Sequence, residues 1–136
     1  MKKVLVDSSV WVSLFAQDVN YKLALGILEK LMDQNVIIVL PAVVYVEVVN
    51  SLVRLKQSEE KINFARKTLF NNKKIWLCQT TLNFWVNEIT ALTFKISLKS
   101  LDLIILGHAL KFDADLITFD KRMDLAYKKI REKLKY

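Results

Sequence analysis

Val4-Leu5-Val6-Asp7-Ser8-Ser9-Val10-Trp11 is the stretch on which the fold turns. Lys3 to Val6 is a short apolar run, the signal of a buried strand. Asp7-Ser8-Ser9 then reads as a helix start, and Val10 to Phe15 as a short apolar helix. A strand feeding directly into a helix begins an alternation that the rest of the chain continues.

Working outward, Leu23, Ile27, Leu28, Leu31 and Met32 recur at helical spacing between Tyr21 and Asp33. Val36 to Val39 is a second strand-like run. Pro41 suits the first turn of a helix, where its missing N–H costs nothing. The β-branched run from Val43 to Val49 favours a strand locally. Apolar character, however, continues through Leu52, Val53 and Leu55, too long for a strand, so a helix is predicted from Pro41 to Lys56. Glu59 to Phe70 reads as a further helix, Lys74 to Leu77 as a strand, Leu82 to Ile96 and Leu101 to Phe112 as helices, and Leu116 to Phe119 as the last strand. Strands alternating with helices predict an α/β fold with a mainly parallel sheet. Ligands of such sheets gather beyond the carboxyl ends of the strands.

The chain has 136 residues, of which 53% are apolar, enough for one domain to fill its core without disulfides. Cys78 is the one cysteine and His108 the one histidine, so a zinc cluster is excluded and any metal site must use oxygen ligands. Only three apolar residues separate Met1-Lys2-Lys3 from Asp7, which is not a signal peptide. Apolar runs fall far short of the ~20 residues needed to span a membrane. A cytoplasmic protein is expected. The formal charge of +7 favours a polyanionic partner. Between Lys121 and Tyr136 seven Lys or Arg face Asp124 and Glu132, with Met123, Tyr127, Ile130 and Leu134 at helical spacing. This is a basic amphipathic helix, most simply one docked by its apolar face.

Asp7 ends the first strand and Asp120 follows the last, so both lie at one edge of a parallel sheet. Asp102 opens a helix, and Glu47 is set among valines. Carboxylates gathered at one edge repel unless a cation neutralises them. Mg²⁺ and Mn²⁺ prefer such hard oxygen ligands, and can activate water and stabilise charge on a phosphate oxygen. Taken singly, each acid has an ordinary explanation. Asp7 suits a helix cap, Asp102 the positive end of a helix, and Asp120 a turn. Glu47 suits a solvated helix face. Ser8 and Thr118 are placed to orient a carboxylate, although backbone capping explains Ser8 as well. Asp113, Asp115 and Asp124 read as surface acids, Asp124 also as a peripheral ligand. His108 reads as structural, and Trp11, Trp76 and Trp85 as core.

Together the opening stretch, Glu47, Ser100-Leu101-Asp102-Leu103-Ile104 and Leu116-Ile117-Thr118-Phe119-Asp120 resemble the PIN-domain family, specifically the stand-alone VapC-type toxins. The resemblance spans essentially the whole chain. It implies a three-layer α/β/α sandwich with a mainly parallel sheet, formed by residues 1–136 as a single domain. It also implies an acidic pocket in which Asp7, Glu47, Asp102 and Asp120 hold Mg²⁺ or Mn²⁺, with Thr118 as the hydroxyl residue of the last motif. The activity implied is metal-dependent cleavage of RNA, silenced by a cognate VapB-like antitoxin, in a protein that commonly forms a homodimer. The sequence departs from the family pattern at Leu103, often Ala, and at Met123, an aromatic or apolar position; neither departure removes a ligand.

Other classes fit less well. A haloacid-dehalogenase phosphatase needs an aspartate where Ser9 stands, and a response-regulator receiver needs an acidic pair absent from Lys2 to Asp7. The chain lacks the glycines of a nucleotide-binding P-loop. A PIN fold kept for binding without turnover and a housekeeping RNA-processing nuclease remain alternatives.

Overall fold

The computed structural model describes residues 1–134. Lys135 and Tyr136, the end of the basic stretch read from the sequence, lie outside the described residues.

Strands β1 (Lys2–Val6), β2 (Val36–Pro41), β3 (Ile75–Cys78) and β4 (Asp115–Ile117) form one sheet in the order β3-β2-β1-β4, with every neighbouring pair parallel. Leu5 on β1 stands opposite Val39 on β2 and Leu116 on β4. Val4, Leu5 and Val6 are all buried, as expected where helices cover both faces of a parallel sheet. Burying each such side chain contributes roughly 1.5–3 kcal/mol. Helices α1 (Ser8–Ala16), α2 (Tyr21–Asp33), α3 (Ala42–Arg54) and α4 (Glu59–Asn71) pack against one another. A second group contains the π-helical segment Phe84–Ile89, α5 (Thr90–Thr93), α6 (Ser100–Lys111) and α7 (Lys121–Leu134). The result is an α/β protein with a parallel central sheet flanked by helices.

The helix at Glu47 forms despite its valines. Val44, Val48 and Leu52, spaced by four, are buried, while Val46 faces solvent. Pro41 is the last residue of β2 rather than the first of α3, because its extended ψ of 144° leaves the helix to begin at Ala42. In α7, Met123, Tyr127 and Ile130 are buried as the spacing predicts, whereas Leu134 is exposed. The Tyr127 hydroxyl donates to the Ala114 carbonyl and so ties α7 to the start of β4.

Three local expectations change. The helix read as Leu82 to Ile96 stops at Thr93, and its middle is π-helical. Ile89 on that wide turn packs onto Gly107 of α6, where any Cβ would overlap its Cδ1 atom. The last strand ends at Ile117, not Phe119. Beyond Thr118, two N–H groups are captured by hydroxyls: Phe119 donates to Ser9 Oγ at 3.1 Å and Asp120 to Thr118 Oγ1 at 3.0 Å. Trp11 is core, but Trp76 is 45% exposed on edge strand β3, resting edge-on against Phe112; Trp85 is half-buried.

His108 is buried in α6. Its Nδ1 lies 2.8 Å from the Ile104 carbonyl, which can only accept, so Nδ1 carries the proton and Nε2 accepts from Thr80 Oγ1 at 3.1 Å. Burial pushes its pKa below the ordinary 6.5, against the backbone hydrogen bond, which raises it. Below pH 6.5 the unfolded chain therefore binds a proton that the folded chain resists. This group costs stability as pH falls, at up to about 1.4 kcal/mol per pH unit. Thermal melts from pH 7.5 to 5.5 should show a steeper acid loss for the native chain than for His108→Gln; parallel slopes would refute this.

Candidate acidic site

The strand order places a topological switch between β1 and β4. From β1 the chain proceeds through β2 to β3 on one side, and β4 lies on the other, so the loops at their carboxyl ends part and leave a crevice. Asp7 and Asp120 follow these two strands.

Asp7 is held on every side. Its N–H donates to the Ile117 carbonyl at 2.8 Å, fastening the end of β1 to β4. It stands at the N-cap position of α1, but its side chain caps nothing. The carboxylate, 5% exposed, is instead turned to tertiary partners. Oδ2 accepts from Ser9 Oγ and Thr118 Oγ1, both at 2.8 Å. Oδ1 receives only the Ser8 hydroxyl at 3.4 Å, a proton directed chiefly to Glu47 Oε2 at 2.7 Å. One oxygen of Asp7 is thus saturated and the other remains available. The capping role that fits Asp7 in the sequence is not how its side chain is used.

Glu47 comes from α3 and borders the buried stripe of Val44 and Val48. Its pKa is raised chiefly by burial; the Ser8 hydrogen bond opposes this, and the charges of Asp7 and Asp102 add to it. Asp102 lies in the first turn of α6. Burial again raises its pKa most, followed by the charges of Asp120 and Asp7, with Lys99 pulling it down. Asp120 is exposed, and its Oδ1 accepts from the backbone N–H groups of Arg122 at 3.0 Å and Met123 at 3.2 Å. It caps α7 with one oxygen and keeps the other free.

Four elements therefore bring the acids within reach of one another's charge: Asp7 and Asp102 act on Glu47, and Asp120 and Asp7 act on Asp102. The surplus negative charge, all on oxygen, suits a hard divalent cation. Repulsion has not given convergence, however. Among the described residues no three His, Cys, Asp or Glu side chains stand at metal-holding distances. Asp124 pairs with Lys128 at 2.9 Å on α7. Asp113 and Asp115 pair with Arg131, and Asp115 also with Lys2.

The Ser8 hydroxyl contacts Asp7 and Glu47, and the Thr118 hydroxyl contacts Asp7. Ser9 is the site residue that the sequence reading misses. Its hydroxyl donates to Asp7 and accepts from the Phe119 N–H, linking both strand ends. A second hydroxyl two residues after a strand-end aspartate is the signal, but it reads equally well as a helix-start residue.

The chain is thus an all-parallel α/β protein with carboxylates from four elements at the switch point of its sheet. A model of the PIN domain family matches residues 4–129, and the chain belongs to that family. No protein with a curated description matches it. Among solved structures, the toxin VapC20 of Mycobacterium tuberculosis, described as cleaving the sarcin-ricin loop, is 15% identical with a TM-score of 0.74, over 90% of this chain and 94% of that one. FitAcB from Neisseria gonorrhoeae is 16% identical with a TM-score of 0.65, over 92% and 93%. VapBC2 from Rickettsia felis, bound to a DNA fragment from its promoter, is 20% identical with a TM-score of 0.60, over 94% and 92%. These three likenesses are ones of fold.

Proposed function

We propose that the chain is a Mg²⁺- or Mn²⁺-dependent endoribonuclease, formed by residues 1–136 as one domain, and the toxin of a toxin–antitoxin pair. The observation that carries this reading is the gathering of Asp7, Glu47, Asp102 and Asp120 at the switch point, with Glu47 bridged to Asp7 through Ser8 and Asp102 within reach of the charges of Asp120 and Asp7. These four would hold the metal. Bound there, a divalent ion supplies Lewis-acid stabilisation of phosphate charge and a more acidic water. The residues themselves do the positioning. Ser9 and Thr118 fix the plane of the Asp7 carboxylate and leave Oδ1 open, and Ser8 holds Glu47 beside it. Family membership supports nuclease chemistry, and the likeness to a toxin that cleaves the sarcin-ricin loop supports RNA as substrate. A VapB-like antitoxin and a second copy of the chain are the proposed protein partners. No helix among the described residues is long and apolar enough to cross a membrane.

Purified protein incubated with structured RNA should cleave it with Mn²⁺ or Mg²⁺ and stop on addition of chelator. Cleavage that persists in chelator would remove the metal from the reading. A second reading, a PIN fold that binds without turnover, is favoured by the lack of convergence of the acids. It predicts RNA binding with no cleavage under either metal and no heat of metal binding by calorimetry. Growth arrest on expression, rescued by a neighbouring gene, separates a toxin from a housekeeping nuclease.

A further inference from the structure

Apart from Lys121 at its start, the cations of α7 fall into two sets. Lys128 pairs with Asp124, and Arg131 with Asp113 and Asp115. Arg122, Lys129 and Lys133 form no salt bridge among the described residues, and neither does Lys95 on the loop after α5. These four line one cleft of ≈ 310 Å³ between that loop and α7, and no carboxylate lines it. Unpaired cations facing one groove repel each other, and a polyanion laid along it relieves the repulsion.

The cleft begins at the acidic site. The Arg122 N–H donates to Asp120 Oδ1 at 3.0 Å, while its guanidinium donates to the Ser97 carbonyl at 3.2 Å. From Arg122 to Lys133 the helix rises about 16 Å, room for a few nucleotides. At the far end, Lys95 and Lys133 also border a cavity of ≈ 610 Å³ whose lining includes Phe94. That ring is 87% exposed, an open face for an unpaired base.

We propose that this cleft is the track along which a single-stranded RNA backbone leaves the acidic site, with Phe94 stacking a base at its end. The inference rests on the nuclease reading for the identity of the polymer. Cations contacting phosphate position the strand without reading its sequence.

The test measures binding of a fluorescein-labelled 12-nucleotide RNA in EDTA, where no turnover intervenes. Four chains are compared: native, Lys95→Gln/Lys129→Gln/Lys133→Gln, Phe94→Ala, and a charge-matched control, Lys22→Gln/Lys30→Gln/Lys67→Gln, on α2 and α4. All six lysines are exposed, and unchanged melting temperatures will show that the folds are intact. The cleft variant should bind at least about tenfold more weakly, with a salt slope shallower by about 2, at ~0.7 for each phosphate no longer neutralised. The control should stay within about twofold of native, and Phe94→Ala should cost about fivefold or more. Equal loss in both triple variants overturns the track, even for a chain that cleaves RNA with metal. Unchanged RNA affinity in the cleft variant, with loss of binding to a glutamate-rich peptide, overturns it in favour of an acidic protein segment. Cleft-specific loss in a chain that cleaves nothing upholds the track and removes only the nuclease reading.

Discussion

Asp7→Asn should lower metal-dependent RNA cleavage by about 10³-fold, the several kcal/mol that metal supplies to a phosphoryl transition state. The substitution keeps a carbonyl oxygen to accept from Ser9 and Thr118, which both donate to Oδ2. It removes the charge and the basicity of Oδ1, the oxygen left with only a 3.4 Å contact. The fold should persist, because the tie from β1 to β4 runs through the Asp7 backbone N–H and not its side chain. Single-turnover cleavage and a thermal melt on the same sample read both effects. Native-level cleavage would sink the site assignment. Loss of cleavage with a collapsed melting temperature would make Asp7 a structural residue.

Asp102→Asn should separate activity from stability in opposite directions. Cleavage should fall by about 10²–10³-fold, because one charged ligand is lost. Stability at neutral pH without metal should rise, read as a higher melting temperature, as when a strained functional site is relaxed. Burial and the charges of Asp120 and Asp7 hold the Asp102 pKa above 3.8, so its ionised form opposes folding. The sign follows from proton binding. Between 3.8 and the raised value the folded chain holds the proton more tightly, so native stability improves as pH falls through that window. The advantage of the Asn variant should therefore shrink on acidification and vanish below both values. Added Mn²⁺ should stabilise the native chain more than the variant. A variant less stable than native in chelator at pH 7 would refute the repulsive arrangement.

Much of this architecture is legible in local sequence. β1, α2 and the start of the last helix sit where apolar periodicity and punctuation place them. The helix at Glu47 is a closer contest. The valine-rich run from Val43 to Val49 favours a strand, but the buried spacing of Val44, Val48 and Leu52 shows that a continuous stripe outweighs propensity. Glu47 borders that stripe, one position from Val48, and its carboxyl is partly desolvated for the same reason. The π-helical turn was not legible, because the packing of Ile89 onto Gly107 joins two different helical segments and leaves no mark on local periodicity. The early end of β4 was equally hidden, since the hydroxyl that takes the Phe119 N–H belongs to Ser9, 110 residues away.

By itself the sequence determined the α/β alternation, the strand-end positions of Asp7 and Asp120 and the restriction to oxygen ligands. Periodicity, punctuation and residue chemistry are local, and each can be read within a few positions. Tertiary structure alone decided which oxygen of Asp7 is saturated, that Ser9 is the bridge, and that Glu47 and Asp102 feel their acidic neighbours without a metal-holding cluster forming among the described residues. It also divided the cations of α7 into a neutralised face and a bare one. Those properties depend on which side chains meet across the sheet and at what distance. Burial sets the cost of each charge there, and no spacing along the chain encodes it.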